Sequence, residues 1–341
     1  MKIGALTGGG DCPGLNAVLR AIVKKAEKGD DSVYGIKNGW AGLIEGVVEP
    51  LTEVSVSGTL PKGGTLLGTS RTNPYKDEES LQKVHANFKK FGLDALVAIG
   101  GEDTLGVARR LFEEGLPVVG VPKTIDNDLA GTDQTFGFDT AVNVVTEAID
   151  RLHSTAESHH RIMVVEVMGR NSGWIATTAS ITGGADYVLI PEKPFDVEEV
   201  CTSLENRKKR GKDFSIVVVA EGAVEKNKAE VTQETGFDEF GHVRLGGIGA
   251  YVAAEIEKRT GIETRVTILG HIQRGGTPSA FDRLIATRYG LRAVDLVREK
   301  KFGRMVSLQG FQITDVDLPI LSQNRRTLDM SLYDDASVFF S

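Results

Sequence analysis

The chain has 341 residues, 40% of them apolar, and this length favours two or more hydrophobic cores over one. Its net charge of −7 argues against non-specific nucleic-acid binding. Two cysteines, Cys12 and Cys201, are too few for a disulfide framework and fit a reducing compartment. No apolar run approaches the ~20 residues of a membrane helix. The opening MKIGALTGGG predicts a strand and a turn rather than a signal peptide. We therefore expect a cytoplasmic protein that is not in the membrane.

Short apolar runs alternate with helical patterns along the chain, as in α/β proteins whose parallel sheets carry helices on both faces. The predicted strands are 3–6, 33–36, 95–99, 117–121, 162–167, 187–190, 214–220 and 264–269. The predicted helices are 13–28, 104–114, 138–158, 172–182, 197–209, 249–259 and 280–298. A polar surface excursion is expected over 222–245, and no structure is predicted after residue 304. Ligands of such folds bind beyond the carboxyl ends of the strands.

Two glycine-rich segments are candidates for binding phosphate. Gly8 to Gly10 separates the first strand from the first helix, where backbone N–H groups and a helix N-terminus favour anions. Taken alone, the segment fits a tight turn chosen for sterics better than a phosphate site. Pro13 stands where a dinucleotide fingerprint has its third glycine. The second segment, 63–71, ends in Arg71, which could bind a phosphate bidentately or be a solvated surface charge.

Two loops about twenty residues apart, 100–104 and 122–128, each follow a short apolar run. The charged side chains that they supply are Glu102, Asp103, Lys123, Asp126 and Asp128. Carboxylates suit Mg²⁺, which binds few of them and keeps waters and phosphate oxygens. Helix capping by Asp103 or Thr104 and ordinary turn chemistry at 126–128 are the alternatives.

The second of these loops also has the groups that phosphoryl transfer to a hydroxyl needs. Either Asp126 or Asp128 could take the hydroxyl proton while the other lies near the metal. Lys123 is a compact cation for phosphate oxygens, and Thr124 adds a hydroxyl. Because this chemistry depends mostly on positioning and charge stabilisation, the two loops together favour it.

Further charged groups lie at the ends of later predicted strands. They are Arg161, Arg170, Glu221, Arg265, His271 and Arg274. The four arginines could bind two phosphates, and Glu221 could accept hydrogen bonds from sugar hydroxyls. Structural ion pairs explain the arginines equally, and a buried, hydrogen-bonded histidine explains His271.

Seven segments, in order over most of the chain, resemble the 6-phosphofructokinases. They are GGGDCPGLNAVLR, KGGTLLGTSR, GGEDT, PKTIDND, SHHRIMVVEVMGR, AEG and ILGHIQRGG. The resemblance implies an α/β fold of two doubly wound parallel-sheet domains of phosphofructokinase type, with the active site in the cleft between them. A phosphate-donor domain would comprise residues 1–137 plus about 274–323. A fructose 6-phosphate domain would comprise 138–273 plus about 324–341.

The resemblance also implies the reaction. The 1-hydroxyl of fructose 6-phosphate attacks the terminal phosphoryl group of a donor, with Mg²⁺ present. Asp126 would be the base, Glu102 would bind Mg²⁺, and Gly10 and Arg71 would contact the donor. The catalytic group would be Lys123, Thr124, Asp126 and Arg170. The sugar-phosphate site would be lined by Thr124, Asp126, Asp128, Met168, Gly169, Arg170, Glu221, His271 and Arg274. Arg161 and Arg265 would reach it from a neighbouring subunit, which implies a homo-oligomer.

The donor is predicted from two departures from ATP-using relatives. Asp103 stands where they commonly have glycine, at the point that the innermost phosphate of ATP must pass. Like charges ~4 Å apart at an effective dielectric near 20 cost roughly 4 kcal/mol before screening. Lys123, in place of another glycine, could stabilise charge on the leaving phosphate. Both residues, as donor-specificity positions, favour pyrophosphate and a reversible reaction; an ATP-dependent or dual-donor enzyme is the alternative.

Regulation is expected to differ from that of bacterial ATP-dependent relatives. Arg20 matches one member of their effector cluster, but Glu53 and His153 stand where arginines are expected. An acid repels phosphate, so we predict weak or absent activation by nucleoside diphosphates. More distant alternatives are a nucleotide or lipid kinase, a non-catalytic sugar-phosphate sensor and a nicotinamide dehydrogenase.

Overall fold

The computed structural model describes residues 1–226, 228, 232–237, 243–322 and 325–340. The strands are β1 (Lys2–Thr7), β2 (Ser32–Ile36), β3 (Val48–Leu51), β4 (Ala95–Gly100), β5 (Val118–Thr124), β6 (Phe136–Gly137), β7 (Ile162–Val167), β8 (Tyr187–Leu189), β9 (Ser215–Ala220), β10 (Thr232–Phe237), β11 (Val243–Leu245), β12 (Thr264–Ile268), β13 (Arg304–Gln309) and β14 (Gln312–Asp317). The helices are α1 (Leu15–Glu27), α2 (Trp40–Glu45), α3 (Glu78–Lys90), α4 (Glu102–Glu113), α5 (Phe138–His159), α6 (Trp174–Gly183), α7 (Val197–Lys209), α8 (Ile248–Thr260), α9 (Ala280–Arg298) and α10 (Met330–Ser337).

The larger sheet has eight strands in the order β14-β13-β5-β4-β1-β2-β3, with β6 paired to β5. Its centre is parallel, and β1, β4 and β5 are buried along their whole length apart from Lys2. Continuous apolar runs ended by glycine produce such strands because helices cover both faces. The second sheet, β12-β7-β9-β8, is parallel throughout.

The two outer strands of the larger sheet correct the expectation of purely parallel sheets. β3 pairs antiparallel with β2, and β14 pairs antiparallel with β13. The physical reason is the length of the connections, since a parallel crossover needs a dozen or more residues. Only Gly310 and Phe311 join β13 to β14, and Gly310 adopts φ 59° in that turn.

Every strand and helix predicted from the sequence is present, with ends that differ by a few residues. The predictions missed the elements between residues 40 and 90, the short β6 and everything after residue 304. Within the predicted surface excursion 222–245, residues 227, 229–231 and 238–242 lie outside the described residues. The described part of this stretch contains β10 and β11, which pair antiparallel.

Buried apolar side chains form one cluster that reaches from the larger sheet to the second sheet, and a further cluster on the other face of each. We propose the two-domain division stated above, because β13 returns to β5 while α10 contacts α6 and β8. The proposed boundary at 323 and 324 lies outside the described residues. In the described part of the chain, no helix is both long enough and apolar enough to span a membrane.

Candidate active site

The glycine-rich first turn and the two acidic loops meet at one edge of the larger sheet. β4 lies between β1 and β5, all three run parallel, and the register pairs Thr7 with Ile99 and Gly100 with Pro122. The carboxyl ends of the three strands therefore lie at the same height along the sheet edge. This places the loops side by side, as the sequence predicts.

These loops and three arginines enclose a pocket. It is lined by Gly9, Gly10, Arg71, Gly101, Glu102, Asp103, Thr104, Lys123, Thr124, Asp126, Asp128, Arg170 and Arg274. Ten predicted site residues are in this lining. Six others are not: Arg161, Met168, Gly169, Glu221, Arg265 and His271. The pocket therefore combines four acids with four cations, which suits an anionic ligand together with a metal.

The glycines of the first loop have a steric reason. Gly9 adopts φ 76°, a conformation that side chains rarely take. A Cβ on Gly10 would lie 2.6 Å from Nη1 of Arg274, which donates to the Asp11 carbonyl at 3.2 Å. The structure therefore supports the interpretation that these glycines are needed for a tight turn. The same absence of side chains leaves the backbone of this loop open to the pocket.

Lys123 is the only lysine in the pocket lining and is 3% exposed. It projects from the end of β5, and its Nζ donates to the Gly10 carbonyl oxygen at 2.5 Å. Burial lowers the pKa of Lys123 to about 8, with Arg274 adding repulsion. An anion in the pocket would favour the charged form of this side chain.

Asp126 is 5% exposed, and its Oδ1 atom is buried without a hydrogen-bond partner among the described residues. Its backbone N–H donates to Thr124 Oγ1 at 3.1 Å, which fixes the turn. Asn127 adopts φ 55° and accepts a hydrogen bond from the Thr135 N–H at 3.0 Å. Buried acceptors are normally satisfied, so an unpaired carboxylate oxygen in a pocket is suited to accept a hydrogen bond from a bound hydroxyl.

Asp128 lies beside Asp126, and their charges interact. Burial and the negative charge of Asp126 raise the pKa of Asp128. Two neighbouring carboxylates in one site tend to differ in protonation for this reason. A proton on Asp128 would relieve the repulsion between the two carboxylates.

Glu102 and Asp103 form the first turn of α4, whose N-cap position is Gly101. The capping alternative for Asp103 and Thr104 is therefore wrong. Thr104 packs instead against Gly8 and Gly100, where a Cβ would come within 2.5 Å of its side chain. Acids in a first helical turn are favoured by the helix dipole.

The carboxylate of Glu102 has a partner that the sequence did not predict. Arg325 Nε donates to Glu102 Oε2 at 2.7 Å. Arg326, the next residue, bonds the Asn127 and Asp128 carbonyls and stacks over the Trp174 ring at 4.1 Å. No local motif marks these arginines, because their partners are about two hundred residues away.

The pocket fits a divalent metal of the hard, oxygen-binding kind. Within the described ranges, no group of three or more His, Cys, Asp or Glu side chains is arranged to hold a metal ion. Mg²⁺ nevertheless needs only one or two carboxylates beside phosphate oxygens and waters. Glu102 supplies an oxygen donor of this type, and Asp128 in the same lining supplies a second carboxylate.

Glu221 supports the turn that presents Arg170. Its Oε1 accepts hydrogen bonds from the N–H groups of Gly169 at 3.3 Å and Arg170 at 3.0 Å. Burial, together with the charge of Asp126, raises the pKa of Glu221 to about 7. Arg170 itself adopts φ 50°, and a Cβ on Gly222 would lie 2.1 Å from its carbonyl oxygen. Met168 packs against the large apolar cluster just before this turn.

Arg161 and Arg265 lie at the beginnings of β7 and β12, opposite the strand ends that face the pocket. Arg161 Nη2 lies 2.8 Å from Glu263 Oε1, and Arg265 pairs with the same carboxylate. The structural ion pairs considered above are thus present for these two. His271 is exposed, so the expectation of a buried histidine is wrong.

The fold and the pocket define an α/β enzyme class that binds anionic ligands at the carboxyl ends of parallel strands. Residues 2–297 match the phosphofructokinase family. The pyrophosphate–fructose 6-phosphate 1-phosphotransferase of Streptomyces coelicolor is 56% identical over 343 residues, covering 100% of both chains. The ATP-dependent 6-phosphofructokinase of Mycobacterium tuberculosis is 52% identical over 342 residues, covering 100% of both.

Among solved structures, the phosphofructokinase of Saccharomyces cerevisiae matches 94% of this chain with a TM-score of 0.82 and 32% identity. This chain spans 45% of the yeast chain's length. The chain described here belongs to the phosphofructokinase family. The resemblance inferred from the seven segments is confirmed.

Proposed function

We propose that this protein transfers a phosphoryl group reversibly from pyrophosphate to the 1-hydroxyl of fructose 6-phosphate, giving fructose 1,6-bisphosphate and phosphate. It would act in glycolysis and gluconeogenesis in the cytoplasm. The observation that carries the proposal is Asp103 in the pocket lining, beside Glu102 at the start of α4. The 56%-identical relative named as a pyrophosphate enzyme supports the same donor.

Asp126 is the proposed base because its Oδ1 is buried, unpaired within the described structure and beside the pocket. Accepting the hydroxyl proton there makes the sugar oxygen a better nucleophile. Lys123 and Arg71 would hold the donor's phosphates, and Arg170 and Arg274 those of the sugar and the transferred group. Mg²⁺, held by Glu102, would neutralise charge on the transferred phosphoryl group.

The proposed substrate site extends beyond the pocket of one subunit. Arg161 and Arg265 lie outside that pocket, on or beside β12, the edge strand of the second sheet. Val266 and Ile268 of this strand are 39% and 54% exposed. An exposed edge with apolar side chains is suited to contact another copy of the chain. We therefore propose a homo-oligomer in which these two arginines serve a neighbouring active site.

The donor assay tests the proposal. Purified protein with Mg²⁺ and fructose 6-phosphate should turn over with pyrophosphate and much less with ATP. Asp103→Gly should lower the KM for ATP several-fold, because ~1 kcal/mol of repulsion, a quarter of the unscreened value, corresponds to about fivefold. Glu79→Gly is the control. Glu79 is the second residue of α3, as Asp103 is of α4, but it lies outside the pocket, so its replacement should leave the KM values for both donors unchanged.

The competing function is ATP-dependent phosphofructokinase activity. It is favoured by the relative at 52% identity that carries that name. A kcat/KM for ATP above that for pyrophosphate in the unmodified protein would establish it and refute the donor assignment. Comparable values for both donors would establish a dual-donor enzyme.

A further inference from the structure

We infer that Arg325 is a positioning residue that competes with the divalent metal for Glu102, and so couples metal binding to arrival of the phosphate donor. The inference rests on the proposed function, in which Glu102 binds the metal. Arg325 Nε and Glu102 Oε2 are 2.7 Å apart, a charge-assisted hydrogen bond. A metal bound at Oε2 would have to displace the guanidinium, and a metal bound at Oε1 would still be repelled by its positive charge.

The residues that follow Arg325 are held by hydrogen bonds. The Arg326 N–H donates to the Asp128 carbonyl at 3.0 Å, and its guanidinium donates to the Asn127 carbonyl at 3.1 Å. Two residues on, the Leu328 N–H donates to Glu192 Oε1 at 3.0 Å, and Leu328 is 3% exposed. These contacts join the segment to the loop of Asp126 and to the second sheet's side of the molecule. Arg325 is therefore held beside the pocket, paired with one of the carboxylates that line it.

The chemistry of the pair makes an exchange of partners favourable only when a phosphate donor is present. Without one, releasing Glu102 would cost Arg325 its hydrogen-bonded carboxylate, and only the weaker attraction of Asp128 would replace it. With pyrophosphate bound, Arg325 can donate its planar fork to phosphate oxygens instead. Glu102 is then available as a metal ligand. Because such coupling is reciprocal, metal would tighten pyrophosphate binding by the same factor.

The test is Mn²⁺ binding, measured by electron paramagnetic resonance on the intact protein without substrate, and again with methylenediphosphonate as a non-transferable pyrophosphate analogue. Arg325→Gln should tighten Mn²⁺ binding about two- to fivefold without the analogue, since a partly exposed ion pair contributes little more. The ratio of Mn²⁺ dissociation constants without and with the analogue should shrink by the same factor. The analogue also chelates Mn²⁺ in solution, but this affects the variant and the unmodified protein equally and cancels when their dissociation constants are compared.

Arg325→Met is a second variant that keeps most of the aliphatic stem, in case glutamine disturbs the segment. It should tighten Mn²⁺ binding by a similar factor. Arg151→Gln is the matched control, because Arg151 also pairs with a glutamate but is 76% exposed and outside the pocket. It should not change Mn²⁺ binding. Unchanged or weaker binding in both Arg325 variants would overturn the inference.

Glu102→Gln separates this inference from the proposed function. It should weaken Mn²⁺ binding in the otherwise unmodified protein, and adding Arg325→Gln to it should have no further effect. If Glu102→Gln leaves Mn²⁺ binding unchanged, the metal assignment is wrong and the inference is wrong with it. If Glu102→Gln weakens binding while the Arg325 variants do not strengthen it, only the inference is wrong.

Discussion

Replacing Lys123 by methionine should make the protein more stable while impairing its use of pyrophosphate. The side chain is 3% exposed, and burial lowers its pKa from 10.5 to about 8. A difference of 2.5 pKa units corresponds to roughly 3 kcal/mol, at 1.36 kcal/mol for each unit. The substrate-free protein therefore keeps a charged lysine at a cost to its stability.

The net gain is smaller than that figure because Lys123 also makes a hydrogen bond. Its Nζ donates to the Gly10 carbonyl oxygen, and losing this bond costs about 1–2 kcal/mol. Methionine keeps a similar apolar length in the same space. We expect Lys123→Met to raise the free energy of unfolding at pH 7 by about 1–2 kcal/mol.

The sign of the pH dependence gives a sharper test than the magnitude. A lysine whose folded-state pKa is lowered destabilises the folded state fully below about 8, and the penalty disappears as pH rises toward 10.5. The advantage of Lys123→Met over the unmodified protein should thus be largest at pH 7 and shrink toward pH 10. Urea unfolding of both proteins at one protein concentration measures it. The reasoning would be refuted if Lys123→Met were less stable than the unmodified protein at pH 7 and the difference in unfolding free energy were the same at pH 10.

Three further predictions concern catalysis, assembly and regulation. Asp126→Asn should lower kcat by about 10²–10⁴ with little change in the KM for pyrophosphate, because the unpaired carboxylate oxygen would no longer take a proton. Arg161→Gln should raise the KM for fructose 6-phosphate, and mixing it with Asp126→Asn should restore activity only if subunits share sites; no restoration under exchange conditions would contradict the shared site. ADP should leave the fructose 6-phosphate saturation curve unchanged, since Glu53 repels phosphate and already pairs with Lys24 at 3.1 Å; an ADP-induced shift from sigmoidal to hyperbolic would contradict this.

The elements that could be predicted from the sequence are those with continuous local signals. β4 and β5 are fully buried apolar runs, and their ends carry the loops that form the pocket. The edge strands of the larger sheet, β3 and β14, gave no such signal. β14 is half-exposed and polar at several positions, since only one side of an edge strand pairs with the sheet. A sequence pattern at 312–317 therefore resembles a loop as much as a strand.

The residues of the candidate site also divide into those that a local sequence signal predicts and those that it does not. Glu102, Lys123 and Asp126 were predicted because each lies in a loop directly after a predicted strand. Arg325 could not be predicted, because its relation to Glu102 depends on how the chain returns after β14. The unfavourable burial of Lys123 also required the structure, since a lysine in a loop is ordinarily exposed.

We propose that the choice of donor depends on a few pocket side chains rather than on overall sequence similarity. Relatives at 56% and 52% identity carry the names of a pyrophosphate enzyme and an ATP-dependent enzyme, a difference too small to separate the two activities. Asp103, by contrast, adds a negative charge and two side-chain oxygens to the pocket lining at the start of α4. In the proposed function, a longer anionic donor would have to pass this carboxylate, whereas pyrophosphate would end before it. A substitution at this one position should therefore change donor preference more than many differences elsewhere in the chain.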